Sequence, residues 1–352
     1  MTGAADRTTG PTVAIAGVGR FGALHARAWA EAGARIVGLV DPDADRLAGT
    51  ARAHRVERTG TDLAALLDQV RPDIVVVASD EASHAGLAVT ALTAGCHVFV
   101  EKPLALSAAD AWRIADTARA HDRQVVAGHI SRFTAQMSRM RAGVERGAVG
   151  RLCALRLRRD FSRAWFLSFG DRVDPVWESC VHDIDLAISF ARARVRRVMA
   201  MRSAAAGDAA PSVVSALLEF DNGVIATVES AWLVPAAGPG TLDDGPLDLD
   251  GAIVGEAEVL GLDGILKQRL VSDALVEWTT AGVQVPDLSL WPEEDGLVGG
   301  ALRREIGYAL AVFTGRREPD LMPLEQACWG VEAAEAIVES LRVGAPVQTA
   351  RR

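Results

Sequence analysis

The sequence predicts an α/β protein of two domains: a doubly wound parallel sheet at the N-terminus, then an α+β domain whose sheet is open and largely antiparallel. Three observations carry this. Over residues 12–128, short runs of β-branched and apolar residues alternate with alanine-rich helical stretches, the pattern of strands covered by helices on both faces. A Gly-x-Gly-x-x-Gly run ends the first strand and opens the first helix. Beyond residue 150 the strand-like runs change character, and Asp221-Asn222-Gly223 supplies turn residues between two of them. The domains are expected at residues 11–130 and 131–347, and 352 residues are enough for two cores.

Thr12–Ala16 is the first strand, and Gly17-Val18-Gly19-Arg20-Phe21-Gly22 follows at once, before a helix to about Ala32. In this context the glycines have separate tasks. Gly17 permits the tight turn, Gly19 lets a pyrophosphate approach the backbone, and Gly22 lets helix pack on strand. The pyrophosphate is then expected at the helix N-terminus, beside Arg20 and Phe21. The second strand, Arg35–Val40, ends in Asp41, nineteen residues past Gly22, where a carboxylate accepts from the adenine ribose hydroxyls and repels a 2′-phosphate. NAD is therefore favoured over NADP, with Arg46 close enough to keep NADP open.

Helices over about 43–54 and 63–69 lead to the apolar strand Asp73–Ala78, then a helix over about 84–95 and the strand His97–Val100. Ser107 with Asp110 marks the N-cap of a helix to about His121. After Gln124–Gly128 the doubly wound pattern ends. Strands are then expected at 151–160, 211–220, 224–232, 251–260 and 274–279. Two long helices, about 297–314 and 323–343, close the chain, the last packing back on the first domain.

Two clusters carry chemistry. The strand ending at Val100 runs into Glu101-Lys102-Pro103, and Lys102 is one of two lysines among 37 basic residues, Lys267 being the other. Lysine can share a proton near neutral pH and arginine cannot, so a lysine kept at a strand end points to a needed ammonium. The second cluster is Glu178, His182 and Asp185. As a helix, their i+4 and i+3 spacing puts a carboxylate, an imidazole and a carboxylate on one face, with Val181, Ile184 and Ile188 toward the core. Such a face suits proton transfer or a metal, or is simply exposed to solvent.

Together these residues resemble the glucose–fructose oxidoreductase / inositol dehydrogenase / MocA family of nicotinamide-dependent dehydrogenases. The resemblance rests on Gly17 to Gly22, on Ala94 to Ala105 (AGCHVFVEKPLA) and on His182-Asp183-Ile184-Asp185, with weaker echoes at Gly128–Phe133 and Phe220–Gly223, and spans about residues 12–347. It implies a Rossmann domain and NAD. It also implies that Lys102 contacts the reacting hydroxyl and the nicotinamide ribose, and that His182 accepts the proton. Where the inositol dehydrogenases carry an aspartate four residues before the histidine, this chain has Glu178, which either orients His182 or binds substrate. Ser79, where the family often has proline, joins His84 and Glu101 as a candidate cofactor contact, and Arg132, Trp165 and Asp185 join the candidate substrate site. Tyr308, the one tyrosine, lies in a helical segment far from these motifs, so the family's tyrosine acid/base variant is not expected. No metal is expected, because the nicotinamide is the electrophile.

His25, His84 and His97 read as structural rather than catalytic. Arg156 and Arg158 read as a solvated or subunit-facing side of a strand. Trp165, Phe166 and Phe169 either wall a sugar-sized pocket or fill space between domains. Net charge −9 argues against a nucleic-acid partner, and no apolar run approaches the ~20 residues of a membrane span. Four scattered cysteines and a polar start without a signal-like apolar core fit the cytoplasm. The expected activity is NAD-dependent oxidation of a secondary hydroxyl on a cyclitol or sugar. An NADPH-dependent keto-sugar reductase, an NAD-retaining glycosidase and a non-catalytic sugar sensor are the alternatives. Two loops that the resemblance places near the pocket are acidic, through Asp243, Asp244, Asp248 and Asp250 and through Glu293, Glu294 and Asp295. Either they are solvated loop carboxylates or, with Glu178, they point to a neutral or cationic substrate such as an amino-cyclitol. An open antiparallel sheet points to a homodimer or homotetramer.

Overall fold

The computed structural model describes residues 10–165, 174–203, 205, 213–235, 241–242, 249–270, 275–280 and 282–350. The chain divides into two compact units, one running to Gly128 with Glu293–Glu325 added, the other formed by His129–Pro292 and the chain from Gln326 on.

In the first unit, β1 (Thr12–Ala16), β2 (Arg35–Val40), β3 (Thr59–Gly60), β4 (Ile74–Val77), β5 (His97–Glu101) and β6 (Val125–Gly128) form a parallel sheet in the order β3-β2-β1-β4-β5-β6. Helices α1 (Arg20–Glu31), α2 (Ala44–His54), α3 (Leu63–Val70), α4 (His84–Thr93) and α5 (Ala108–Ala120) make the crossovers. The strand order reverses between β1 and β4, the switch point outside which open α/β sheets bind ligands. Val13–Ala16 and Val75–Val77 are fully buried, which explains why these strands read as unbroken apolar runs. The starts of α2, α3 and α5 are fixed by side chains that accept otherwise unsatisfied N–H groups, each contributing about 1 kcal/mol. The Asp43 carboxylate accepts from Asp45 and Arg46 N–H, both at 3.0 Å. Ser107 accepts from Asp110 N–H at 3.1 Å while donating to its carboxylate at 2.9 Å, the expected cap.

In the second unit, α6 (Ala135–Glu145), β7 (Leu152–Phe161), α7 (Val181–Ala191), β8 (Val195–Arg202), β9 (Val214–Phe220), β10 (Ile225–Ser230), β11 (Thr241–Leu242), β12 (Leu249–Gly261) and β13 (Ile265–Arg269) follow in order. The sheet runs β11-β12-β7-β10-β9-β8 with Val347–Gln348 beyond β8 and β13 beside β12; β7 and β10 are parallel and the other pairs antiparallel. The β9–β10 hairpin turns at Gly223 (φ +83°), as its sequence requires. One face packs Leu155, Leu157, Ala216, Leu218 and Val228 against Val181, Ile184 and Ile188 of α7. Among the described residues the other face is open. Arg156 pairs with Glu258 at 2.9 Å and Arg158 with Glu256 at 3.6 Å, beside exposed Met201, Leu217 and Ile225.

Two long helices close the chain, α8 (Gly300–Phe313) and α9 (Leu324–Val343). In the structure the element clustered with the first unit is α8, whose Phe313 stacks on Trp29 and His97 at ring distances of 6.5 and 5.5 Å. Beyond its first two residues α9 belongs to the second unit, where Ala333, Ala334 and Ile337 enter the sheet core. Both helices are apolar enough to be buried, so their composition could not separate them.

Candidate active site

The nucleotide end of the first unit is built by close backbone approach. Gly17 has φ +89°, and a Cβ there would lie 2.5 Å from the Ser79 nitrogen, so the β1 turn rests directly on the end of β4. A Cβ on Gly22 would collide with the Gly17 carbonyl oxygen. A Cβ on Gly19 would meet nothing within 4 Å, which leaves room for a phosphate where α1 begins, and no side chain caps that helix start. These features fit the pyrophosphate of a dinucleotide. Arg20 is exposed and Phe21 half-buried on the first turn.

Asp41 is buried at the end of β2, and its two oxygens accept from Val18 N–H at 2.7 Å and Asp43 N–H at 2.9 Å. A carboxylate has about four acceptor positions, so those left over can take ribose hydroxyls. Arg46 is exposed and pairs with Asp43 at 3.3 Å.

Lys102 is half-buried at the end of β5, and the Lys102–Pro103 peptide bond is cis. Glu101 turns inward: one oxygen lies 2.8 Å from His25 Nε2 and the other accepts the Lys102 N–H at 3.2 Å. His84 is buried, with Nδ1 2.8 Å from the Pro103 carbonyl oxygen and Nε2 3.2 Å from that of Ser79. A neutral ring has one N–H to donate, and the shorter contact, Nδ1 to Pro103, is the better placed to take it, with the Ser79 carbonyl against the other side of the ring. Ser79 itself is half-buried, with its hydroxyl 2.6 Å from that of Ser83.

In the second unit the helical reading of residues 178–185 holds with one difference. Val176–Cys180 is a π-helical turn, and α7 begins only at Val181. The wider turn is pinned at Ser179, whose hydroxyl is 2.7 Å from the Pro175 carbonyl oxygen and 2.5 Å from Ser230 Oγ and accepts from Trp232 Nε1 at 3.0 Å. Such turns inside helices recur at functional sites. Glu178 is half-buried on it, and His182 is buried on the first turn of α7. Residues 181–188 are all buried, so this is no solvated face.

Two buried ion pairs flank His182. Asp185 receives both Arg132 Nε and Nη2 at 2.7 Å, while Arg132 Nη1 donates to Gln326 at 2.9 Å. Asp183 receives Arg159 at 3.0 and 3.3 Å. Burial pushes the Asp183 carboxyl above its ordinary value, and Arg159 opposes that shift. A bidentate guanidinium on Asp185 leaves it poorly placed to bind a metal, and among the described residues no three His, Cys, Asp or Glu side chains form a ligand set. Trp165 is mostly buried against Phe161, ring to ring at 5.3 Å, and Phe161 meets Trp232 at 5.3 Å. Phe166, Phe169, Asp243, Asp244 and Asp248 lie outside the described residues, as does the side chain of Asp250. Glu293 is paired with Arg27 at 2.9 Å.

The structure thus groups Gly17, Gly19, Gly22, Asp41, Ser79, His84, Glu101 and Lys102 at one end of the first unit, and Arg132, Glu178, His182 and Asp185 around α7 in the second. Sequence reasoning passed over Arg159, Ser179 and Trp232, whose partners lie 24 to 53 residues away. It read His25 as structural rather than catalytic, without its Trp29 and Glu101 partners.

Residues 12–129 match the family described as an oxidoreductase family with an NAD-binding Rossmann fold, and residues 137–262 match the GFO/IDH/MocA C-terminal domain. Inositol 2-dehydrogenase 2 of Saccharopolyspora erythraea is 30% identical over 256 residues, covering 71% of this chain and 72% of that protein. Among solved structures, scyllo-inositol dehydrogenase from Lactobacillus casei with bound NAD(H) and scyllo-inositol superposes with TM-score 0.81 at 19% identity, over 97% of this chain and 99% of that one. GenD2 from gentamicin A biosynthesis, in complex with NAD, superposes with TM-score 0.80 at 21% identity, over 100% and 99%. With its parallel Rossmann sheet, glycine turn and Glu-Lys-Pro strand end, the chain belongs to the Gfo/Idh/MocA family of NAD-dependent oxidoreductases that act on sugar and cyclitol hydroxyls.

Proposed function

We propose that this enzyme oxidises a secondary hydroxyl of a cyclitol, with Lys102 and His182 acting on that hydroxyl. The observation that carries the reading is the braced strand end: Lys102 follows a Glu101 locked to α1 and precedes a Pro103 held by His84. The relative at 30% identity, an inositol 2-dehydrogenase, supports the substrate class. When bound, NAD accepts the hydride. The Lys102 ammonium stabilises alkoxide character on the substrate oxygen, and the His182 imidazole takes the hydroxyl proton. The Arg132–Asp185 and Arg159–Asp183 pairs orient α7 rather than touch substrate. Glu178 is the chain's own specificity group on the π turn.

A cationic substrate, an amino-cyclitol, is the second reading. Its acidic-loop argument is narrowed, because Glu293 is already neutralised by Arg27. What supports it is Glu178, a half-buried carboxylate one turn before His182. A panel of inositols, amino-cyclitols, sugars and sugar phosphates, followed by NAD reduction at 340 nm, tests both. Turnover of an inositol supports the first reading. A preference for the amino analogue that weakens with salt supports the second, since exposed attraction is screened within ~10 Å at 0.1 M. NAD binding without turnover of any compound would reject the dehydrogenase assignment in favour of a sensor.

The open sheet face, with Met201 69% and Leu217 47% exposed beside paired charges, supports a homodimer or homotetramer. A single-chain mass by light scattering would refute it. Among the described residues no helix is long and apolar enough to cross a membrane.

A further inference from the structure

Phe21, His25 and Trp29 repeat every four residues along the buried face of α1. His25 and Trp29 are wholly buried. Trp29 Nε1 lies 3.2 Å from His25 Nδ1. An indole nitrogen can only donate, so His25 Nδ1 accepts. The ring proton is then on Nε2, which donates to Glu101 Oε1 at 2.8 Å. The tautomer is set by Trp29, and the rings of Phe21 and Phe99 pack around the imidazole at 5.1 and 5.3 Å.

Glu101 passes the constraint on. The ladder between β5 and β6 ends at the pair Glu101–Gly128, and that between β4 and β5 ends at Val77–Val100. Just past both ends, the Lys102 N–H donates to Glu101 Oε2 at 3.2 Å. A Cβ at residue 128 would lie 2.8 Å from Glu101 Oε1, so glycine is needed there for the carboxylate to hold this position.

From this geometry we infer that Trp29 and His25 are positioning residues: through Glu101 they fix the backbone at Lys102 where β5 leaves the sheet. The inference rests on the reading that Lys102 acts at the substrate hydroxyl, and it extends the working part of the enzyme to the buried face of α1.

The chain has two lysines, so protein grown on ε-13C-lysine gives two side-chain signals, assigned with Lys267→Arg. In His25→Leu the Lys102 signal is expected to move by more than its linewidth and to broaden, while Lys267 is unchanged. His25→Gln, whose amide can still donate toward Glu101, is expected to restore the Lys102 signal. Trp29→Phe keeps the ring but removes the donor, and a smaller displacement in the same direction is expected. A purely structural role would lower the melting temperature of these variants without moving the signal. An unmoved Lys102 signal in both His25→Leu and Trp29→Phe overturns the inference, and Trp29→Phe decides alone if His25→Leu does not fold. Failure of the underlying reading shows elsewhere, as retained turnover in Lys102→Ala.

Discussion

Asp41→Ala separates two tasks that the sequence could not tell apart. Asp41 stands where a carboxylate selects NAD, yet its oxygens also hold the glycine turn, by accepting from Val18 N–H, and the chain entering α2, by accepting from Asp43 N–H. Val18 is 2% exposed, so its N–H loses its partner with little access to water. Hydrogen bonds to a charged group contribute about 1.5–3 kcal/mol when buried and less when wet. Val18 belongs toward the upper end and half-buried Asp43 toward the lower, so the variant is expected to lose about 3 kcal/mol before any nucleotide is added. At about 2–4 °C per kcal/mol for large domains, the melting temperature should fall by roughly 6–12 °C. The assay is scanning fluorimetry without nucleotide, then with NAD and with NADP. Added nucleotide should stabilise the variant less, and the margin of NAD over NADP should narrow. An unchanged melting temperature without nucleotide refutes the bracing argument, and an unchanged NAD preference refutes ribose recognition. Asp41→Asn keeps one acceptor but turns an amide donor toward a backbone donor, so it should fall between wild type and alanine.

Lys102→Ala and His182→Ala are each expected to lose about 10²–10⁴-fold in kcat while keeping NAD affinity, read by turnover on the panel substrate and by calorimetry. Lys102→Arg should fail similarly, because guanidinium keeps charge but not proton sharing, and near wild-type rates would reject the assignment. Arg159→Met leaves Asp183 buried without its partner and is expected to cost about 3–5 kcal/mol in urea unfolding. Adding Asp183→Leu should recover most of that loss, and a double variant no more stable than the single would refute the pairing.

The first unit was legible because its signals are local. A glycine run after a strand, Asp41 at the next strand end and the Ser107–Asp110 cap each lie within one element or its neighbour. The second unit was less so. β8 went unrecognised because Arg196, Arg197 and Arg202 interrupt its apolar residues, and only pairing with β9 makes it a strand. α6 was missed for a similar reason: polar Gln136, Ser138, Arg139 and Arg141 hide Met137 and Met140, which enter the core. At the site, spacing suggested that Glu178, His182 and Asp185 share a face. It could not show that Asp185 belongs to Arg132, because that pair joins residues 53 positions apart. Nor could it show a π turn, which depends on Ser179 meeting Trp232 and Ser230.

That π turn sets two registers in one continuous helix. Downstream of Cys180, the angular positions of Val181, Ile184 and Ile188 are dictated by the sheet they cover. Upstream, Glu178 follows the wider winding and is offset from them. Removing one residue between Glu178 and His182 would let the helix wind regularly, three ordinary ~100° steps replacing four narrower ones, so Glu178 would shift by only a fraction of a step and stand one residue closer to His182. Insertion and deletion at this point therefore change the spacing and the angle of Glu178 from His182 together, which point substitutions cannot do, and they do so only by repacking Val176 and Cys180 in the core.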